Sequence, residues 1–162
     1  MCIVSQQLGS GVDGTTQVLQ SNPDGTRSWV PASGVGDGSS RGVIGISIDG
    51  GGSVITTGVK GFIRVFVACT ILSVTLLSTD PAVTSGSIVI DIWKDTFANY
   101  PPTNADSITG GNEPTITSDT NSEDTGLSGW STTVNAGDVL GFNVDSVTSL
   151  KAVVLQLEVQ AL

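Results

Sequence analysis

The sequence predicts an all-β protein: a jelly-roll-like (Greek-key) β-sandwich of about eight strands behind an extended N-terminal arm. Three observations predict it. Residues 41–162 repeat apolar and polar side chains with the two-residue period of half-buried strands, broken by Gly, Asn and Pro turns. No window has the three-to-four-residue apolar spacing of an amphipathic helix. Residues 1–40 obey neither pattern and consist of Gly, Ser, Asp and Gln with scattered apolar residues. The division is therefore an attachment arm over 1–40 and a sandwich over 41–162, and a chain of 162 residues has room for one such domain.

In the arm, ordering each backbone unit costs about 1–2 kcal/mol. Burying a large apolar side chain returns about 1.5–3 kcal/mol, and roughly one arm residue in four is apolar. The arm is expected to order where another chain covers it. Its strongest local signal is Asn22-Pro23-Asp24-Gly25, where Pro presets the first central torsion and Asp-Gly tolerates positive φ. Val18 and Leu19 before this turn, with Trp29 and Val30 after it, predict a small hairpin whose apolar residues hold a partner.

The sandwich begins after the Gly34–Ser40 linker. Val43–Ile48 sets Ile44, Ile46 and Ile48 on one face, and Asp49-Gly50-Gly51-Gly52 turns the chain with a backbone that passes close to a neighbour. Two long β segments follow, Lys60–Cys69 and Ile71–Ser78, with Arg64 on the same face as Phe62 and Phe66. After the turn at Ser78–Pro81, Ser87–Lys94 opposes Ile88, Ile90 and Ile92 to Val89, Asp91 and Trp93. Bulk on both faces predicts cover on both sides or a subunit contact. Asn99–Ser128 reads as a long polar loop in which Ile108 and Ile116 mark one short edge strand. Gly129–Val134 and the turn Asn135–Asp138 lead to Leu140, Phe142 and Val144. The last strand turns Val153, Leu155, Leu157 and Val159 inward and Gln156, Glu158 and Gln160 outward.

Composition excludes several functions. Fifteen acidic against six basic side chains leave a net charge of -9, and Arg27, Arg41, Lys60, Arg64, Lys94 and Lys151 are dispersed, so nucleic acid is not the expected partner. The apolar run Ile63–Leu77 is interrupted by Arg64, Thr70, Ser73 and Thr75, which argues against a membrane span. No basic region followed by an apolar run marks a secretory signal. Cys2 and Cys69 form neither a zinc spacing nor a disulfide framework. The chain has no histidine, which removes Ser-His-Asp and Cys-His catalysis and the commonest transition-metal ligand.

The remaining chemical candidates are acidic and aromatic. Asp91 and Asp95 share a strand face as a conceivable carboxylate pair, and Asp119, Glu123 and Asp124 supply hard oxygens for calcium without matching an established calcium loop. The expectation is a protein with no catalytic residues, no cofactor and no metal. Trp93, Tyr100 and Trp130 are candidate outer-loop ligand contacts that could stack on sugar rings; the bland alternative puts them in the core or a subunit contact. Phe97–Pro102 is the expected exposed patch, because two prolines stiffen the start of the long loop.

The arm segment from Gln17 to Trp29 resembles the short "V-L-x-S-N-x-D-G-T-x-x-W" modules of tailed-bacteriophage fibre and virion proteins. The segments Ile48–Gly58, Ser85–Lys94, Gly129-Trp130 and Ala136–Leu140 resemble a phage structural domain, so that the resemblance covers residues 17–31 and most of 43–160. It implies a homotrimer with sandwiches about a threefold axis and arms that hold an underlying partner. Two roles compete within it. A short arm starting at Met1, without a shaft, favours a capsid decoration (cement) protein or stubby head spike bound to the major capsid protein. The alternative is a receptor-binding tip, fibre or adaptor on the tail, attached to a tail or baseplate protein and able to bind carbohydrate. Either implies a virion protein assembled in the host cytoplasm.

Overall fold

The computed structural model describes residues 40–162 in full and, before them, the strands β1 (Gly9–Ser10), β2 (Thr16–Ser21) and β3 (Arg27–Pro31). The chain divides into two units, Met1–Ser39 and Ser40–Leu162. In the first, β2 and β3 pair antiparallel with Val18 opposite Val30 and Leu19 opposite Trp29. This is the predicted hairpin. β1 adds a third strand through Gly9 opposite Gln17, which the unpatterned sequence before Thr16 does not signal.

The second unit is an all-β sandwich of two antiparallel sheets. One contains β4 (Arg41–Asp49), β12 (Ala152–Ala161) and β6 (Cys69–Ser78) side by side. The far edge of β6 is shared by β9 (Asn121–Asp124), opposite residues 74–77, and β10 (Thr133–Val134), opposite residues 69–70. The other sheet runs β5 (Gly58–Arg64), β11 (Asp138–Thr148), β7 (Gly86–Thr96) and β8 (Thr115–Asp119). Among the described residues β4 and β5 each pair on one side only and leave a seam between the sheets, closed midway where Ile46 packs on Gly61.

The core is what the alternation predicts. Ile88, Ile90 and Ile92 of β7, Leu140, Phe142 and Val144 of β11, and Val153, Leu155 and Leu157 of β12 are fully buried between the sheets. The outward Gln156 of β12 is exposed. At the glycine turn after β4, Gly51 and Gly52 take positive φ of 66° and 87°. A Cβ on Gly50 would collide with the Ser53 carbonyl.

The long loop departs from expectation. Within residues 99–128 the structure places two short strands, β8 and β9, one in each sheet, instead of a single edge strand. Ile108 and Ile116 anchor it in the core. The same loop explains the two-sided bulk of β7. Its short helical turn Asn104–Asp106 packs on β7, and Ser107 bridges to Trp93. The second face of β7 is thus covered by its own chain at Asp91 and Trp93, without a neighbouring subunit. The β segment predicted over Lys60–Cys69 also ends earlier, at Arg64. Residues 65–68 form the connection to β6, held by Val65 N–H donating to the Asp138 carbonyl at 2.8 Å.

Candidate docking surface at the entry end

Strand directions bring five segments to one end of the sandwich. Ser40, where the chain enters, is held by Ala161 N–H donating to its carbonyl at 2.9 Å; Leu162 N–H donates to the Ala68 carbonyl at 3.0 Å. The β5–β6 connection, the segment after β7 from Phe97 to Tyr100, and the turn before β11 complete this end. It carries the largest exposed apolar side chains of the unit. Phe66 is 78% exposed, Leu162 75%, Val67 61%, Phe97 56% and Tyr100 51%. Isolated exposed apolar residues are ordinary on protein surfaces, but several gathered on one end mark an interaction surface.

Arg64 stands at the centre of this group. Its guanidinium lies 4.2 Å from the Phe97 ring centre and 5.7 Å from that of Phe66. The rings hold the cation by their negative faces. Phe97 in turn packs beside Tyr100, with ring centres 6.5 Å apart, and Tyr100 meets Phe62 edge-on at 5.1 Å. Phe62 lies over Gly141, where a Cβ would come within 3.0 Å of its ring. The bare backbone of β11 therefore lets the aromatic row sit flat on the sheet.

Among the described residues Arg64 makes no side-chain hydrogen bond or ion pair, unlike the other basic side chains. Arg41 pairs with Glu158, Lys60 donates to Thr56 Oγ1 at 2.9 Å, Lys94 to the Thr133 carbonyl at 2.6 Å, and Lys151 approaches Asp80 at 3.9 Å. The hydrogen bond from Arg41 holds the Glu158 carboxyl below its ordinary range, against partial desolvation, with help from the Arg41 charge and from Ser73 Oγ. Beside Arg64 the seam between β4 and β5 widens into an apolar groove of about 420 Å³, floored by Ile44, Ile63, Val65 and Val159.

The predicted ligand contacts do not form one platform. Trp93 is 8% exposed, with its indole N–H donating to Asp91 Oδ2 at 2.7 Å, so it is structural and cannot present a ring to a ligand. Trp130 is half-buried against the core, its N–H on the Asn112 carbonyl at 2.9 Å. Tyr100 alone of the three is mostly exposed, within the expected Phe97–Pro102 patch. Arg64, Phe66, Val67 and Leu162 are the members of the surface that the sequence did not assign to a site. The shared face of Phe62, Arg64 and Phe66 was the available signal. The arm residues Val18, Leu19, Trp29 and Val30 have paired backbones, but their side chains lie outside the described residues.

The acidic candidates also separate. Asp91 is buried and accepts from Ile92 N–H at 2.8 Å, Trp93 Nε1, Ser107 Oγ at 2.7 Å and Thr109 Oγ1 at 3.0 Å. Such a saturated carboxylate pins the loop to β7 and does not face Asp95 as a catalytic partner. Asp95 instead accepts from the Thr96 N–H and from Asn99. Asp119 caps Thr120, and Asp124 accepts from the N–H groups of Gly126 and Leu127. Among the described residues, Asp119, Glu123 and Asp124 are not gathered into a cation site. No family model, curated protein or solved structure matches the chain.

Proposed function

We propose that this protein is a non-enzymatic structural protein of a tailed-bacteriophage virion. In this reading it is a trimeric capsid decoration protein whose arm grips the major capsid protein and whose sandwich stabilises the head. The single observation that carries the attachment part is the entry end itself. The root of the arm at Ser40 coincides with the exposed Phe66, Val67, Phe97, Tyr100 and Leu162. A protein tethered there would bury that apolar surface against the object it grips.

The phage assignment is supported by the resemblance of the Val18–Trp29 segment and of the sandwich turns. We read the sandwich as a jelly roll. Its strand order supports this, since β4-β12-β6-β9 faces β5-β11-β7-β8 and the chain passes repeatedly from one sheet to the other. Trimerisation rests on the resemblance alone, because the bulk of β7 is covered within the chain. The acidic net charge of -9 supports a protein partner over nucleic acid, and neither a membrane nor a cofactor enters this reading.

A receptor-binding tip, fibre or adaptor on the tail is the second reading. Arg64 with its exposed aromatic neighbours favours it, since such a group can also serve ligand recognition, including a sugar. Electron microscopy of particles labelled with antibody to the sandwich separates the two. Label over the head is expected; label confined to the tail would overturn the decoration role.

A further inference from the structure

We propose that the groove at the entry end of the seam between β4 and β5 receives an extended polypeptide segment of a partner protein. That segment would alternate apolar side chains and place one Asp or Glu on Arg64. Three independent features of the seam specify this occupant.

The first is the backbone. Among the described residues β4 and β5 are edge strands, each paired on one side only, so both offer outer N–H and C=O groups where the groove opens beside Arg41, Gly42, Ile44, Ile63 and Arg64. Edge strands are usually protected by proline, by lysine or by a covering element. β4, Arg41–Asp49, has neither proline nor lysine, and its one basic residue is neutralised by Glu158. An added strand would satisfy these groups as β-augmentation does.

The second is the groove. Its apolar floor at Ile44, Ile63, Val65 and Val159 and its volume of about 420 Å³ suit several small-to-medium side chains. Because an extended segment turns every second side chain to the same face, the occupant must be apolar at alternate positions.

The third is charge. In a chain of net charge -9, Arg64 has no acidic partner among the described residues, although it lines the same groove. Phe97 and Phe66 fix its guanidinium, so little side-chain freedom is lost when a carboxylate binds it in the two-pronged geometry that Arg favours. The guanidinium held by these rings is the charged recognition element. This points to a carboxylate on a peptide over a neutral sugar.

The inference uses the attachment reading only in taking the partner to be a protein, and it is tested separately from the arm. The full chain, its Arg64→Gln variant and its Arg64→Glu variant are used to select from a displayed library of random twelve-residue peptides, and the best peptide is then titrated into isotope-labelled protein. Arg64 is exposed, so both variants should keep the melting curve of the parent. The parent is expected to enrich alternating apolar sequences containing Asp or Glu, with amide shifts along β4 and β5. R64Q should bind the selected peptide at least tenfold more weakly. R64E should prefer the same peptide with Lys in place of its acid. Failure to enrich peptides, binding indifferent to Arg64, or shifts away from this seam would overturn the proposal. So would concentration-dependent self-association abolished by R64E, which would make a second copy the occupant.

Discussion

Asp91 shows how one side chain organises a surface loop. A buried carboxylate is costly unless its lone pairs are filled, and here Trp93, Ser107, Thr109 and the Ile92 amide fill them. Asp91→Ala would leave the buried Trp93 indole N–H unpaired and remove the acceptor shared by Ser107 and Thr109. It is expected to lower stability by about 3 kcal/mol, given the worth of hydrogen bonds to a charged group, as measured by urea unfolding followed through tryptophan fluorescence. Arg41 and Glu158 make a smaller, pH-dependent contribution. The folded carboxyl titrates below its unfolded value, so its stabilisation is complete above the ordinary carboxylate range, about pH 4.3. It is lost as the pH falls through the depressed folded value. Glu158→Gln should therefore flatten the acid limb of a plot of melting temperature against pH and leave the alkaline limb unchanged.

At the scale of elements, the long strands were legible because burial repeats every second residue. Ile88, Ile90 and Ile92, or Leu155 and Leu157, declare their face without knowledge of their neighbours. The hairpin of Val18 and Leu19 with Trp29 and Val30 followed from the Asn-Pro-Asp-Gly turn signal, although its register did not. β8 and β9 were hidden because Thr115–Asp119 and Asn121–Asp124 are edge strands with mainly polar residues, which resemble a loop in composition. Trp93 was open to misreading because its cover, Ser107, comes from a loop rather than from an adjacent strand. Half of the docking surface was visible as the Phe62, Arg64 and Phe66 face and the Phe97–Pro102 patch. That the two meet depends on the order of β5, β11 and β7, which periodicity does not encode. Gly141 makes that meeting sterically possible. A side chain there would press on Phe62 and Pro102. Gly141→Val is expected to cost about 1–3 kcal/mol by overpacking and to broaden the Tyr100 ring resonances in NMR spectra.

For the whole molecule, two units carry distinct duties in this account. The sandwich of Ser40–Leu162 has its own core and should fold without residues 1–39. Association into a trimer would give a mass three times that of the chain by light scattering at micromolar concentration; a monomer would contradict the threefold part of the proposal. The attachment claim is more central, and co-sedimentation of the full chain and of residues 40–162 with particles lacking this protein tests it most directly. The truncated sandwich is expected to keep its cooperative melt and to lose binding by at least tenfold, while the full chain pellets with the particles. Binding of the truncated form with undiminished affinity would contradict the attachment claim.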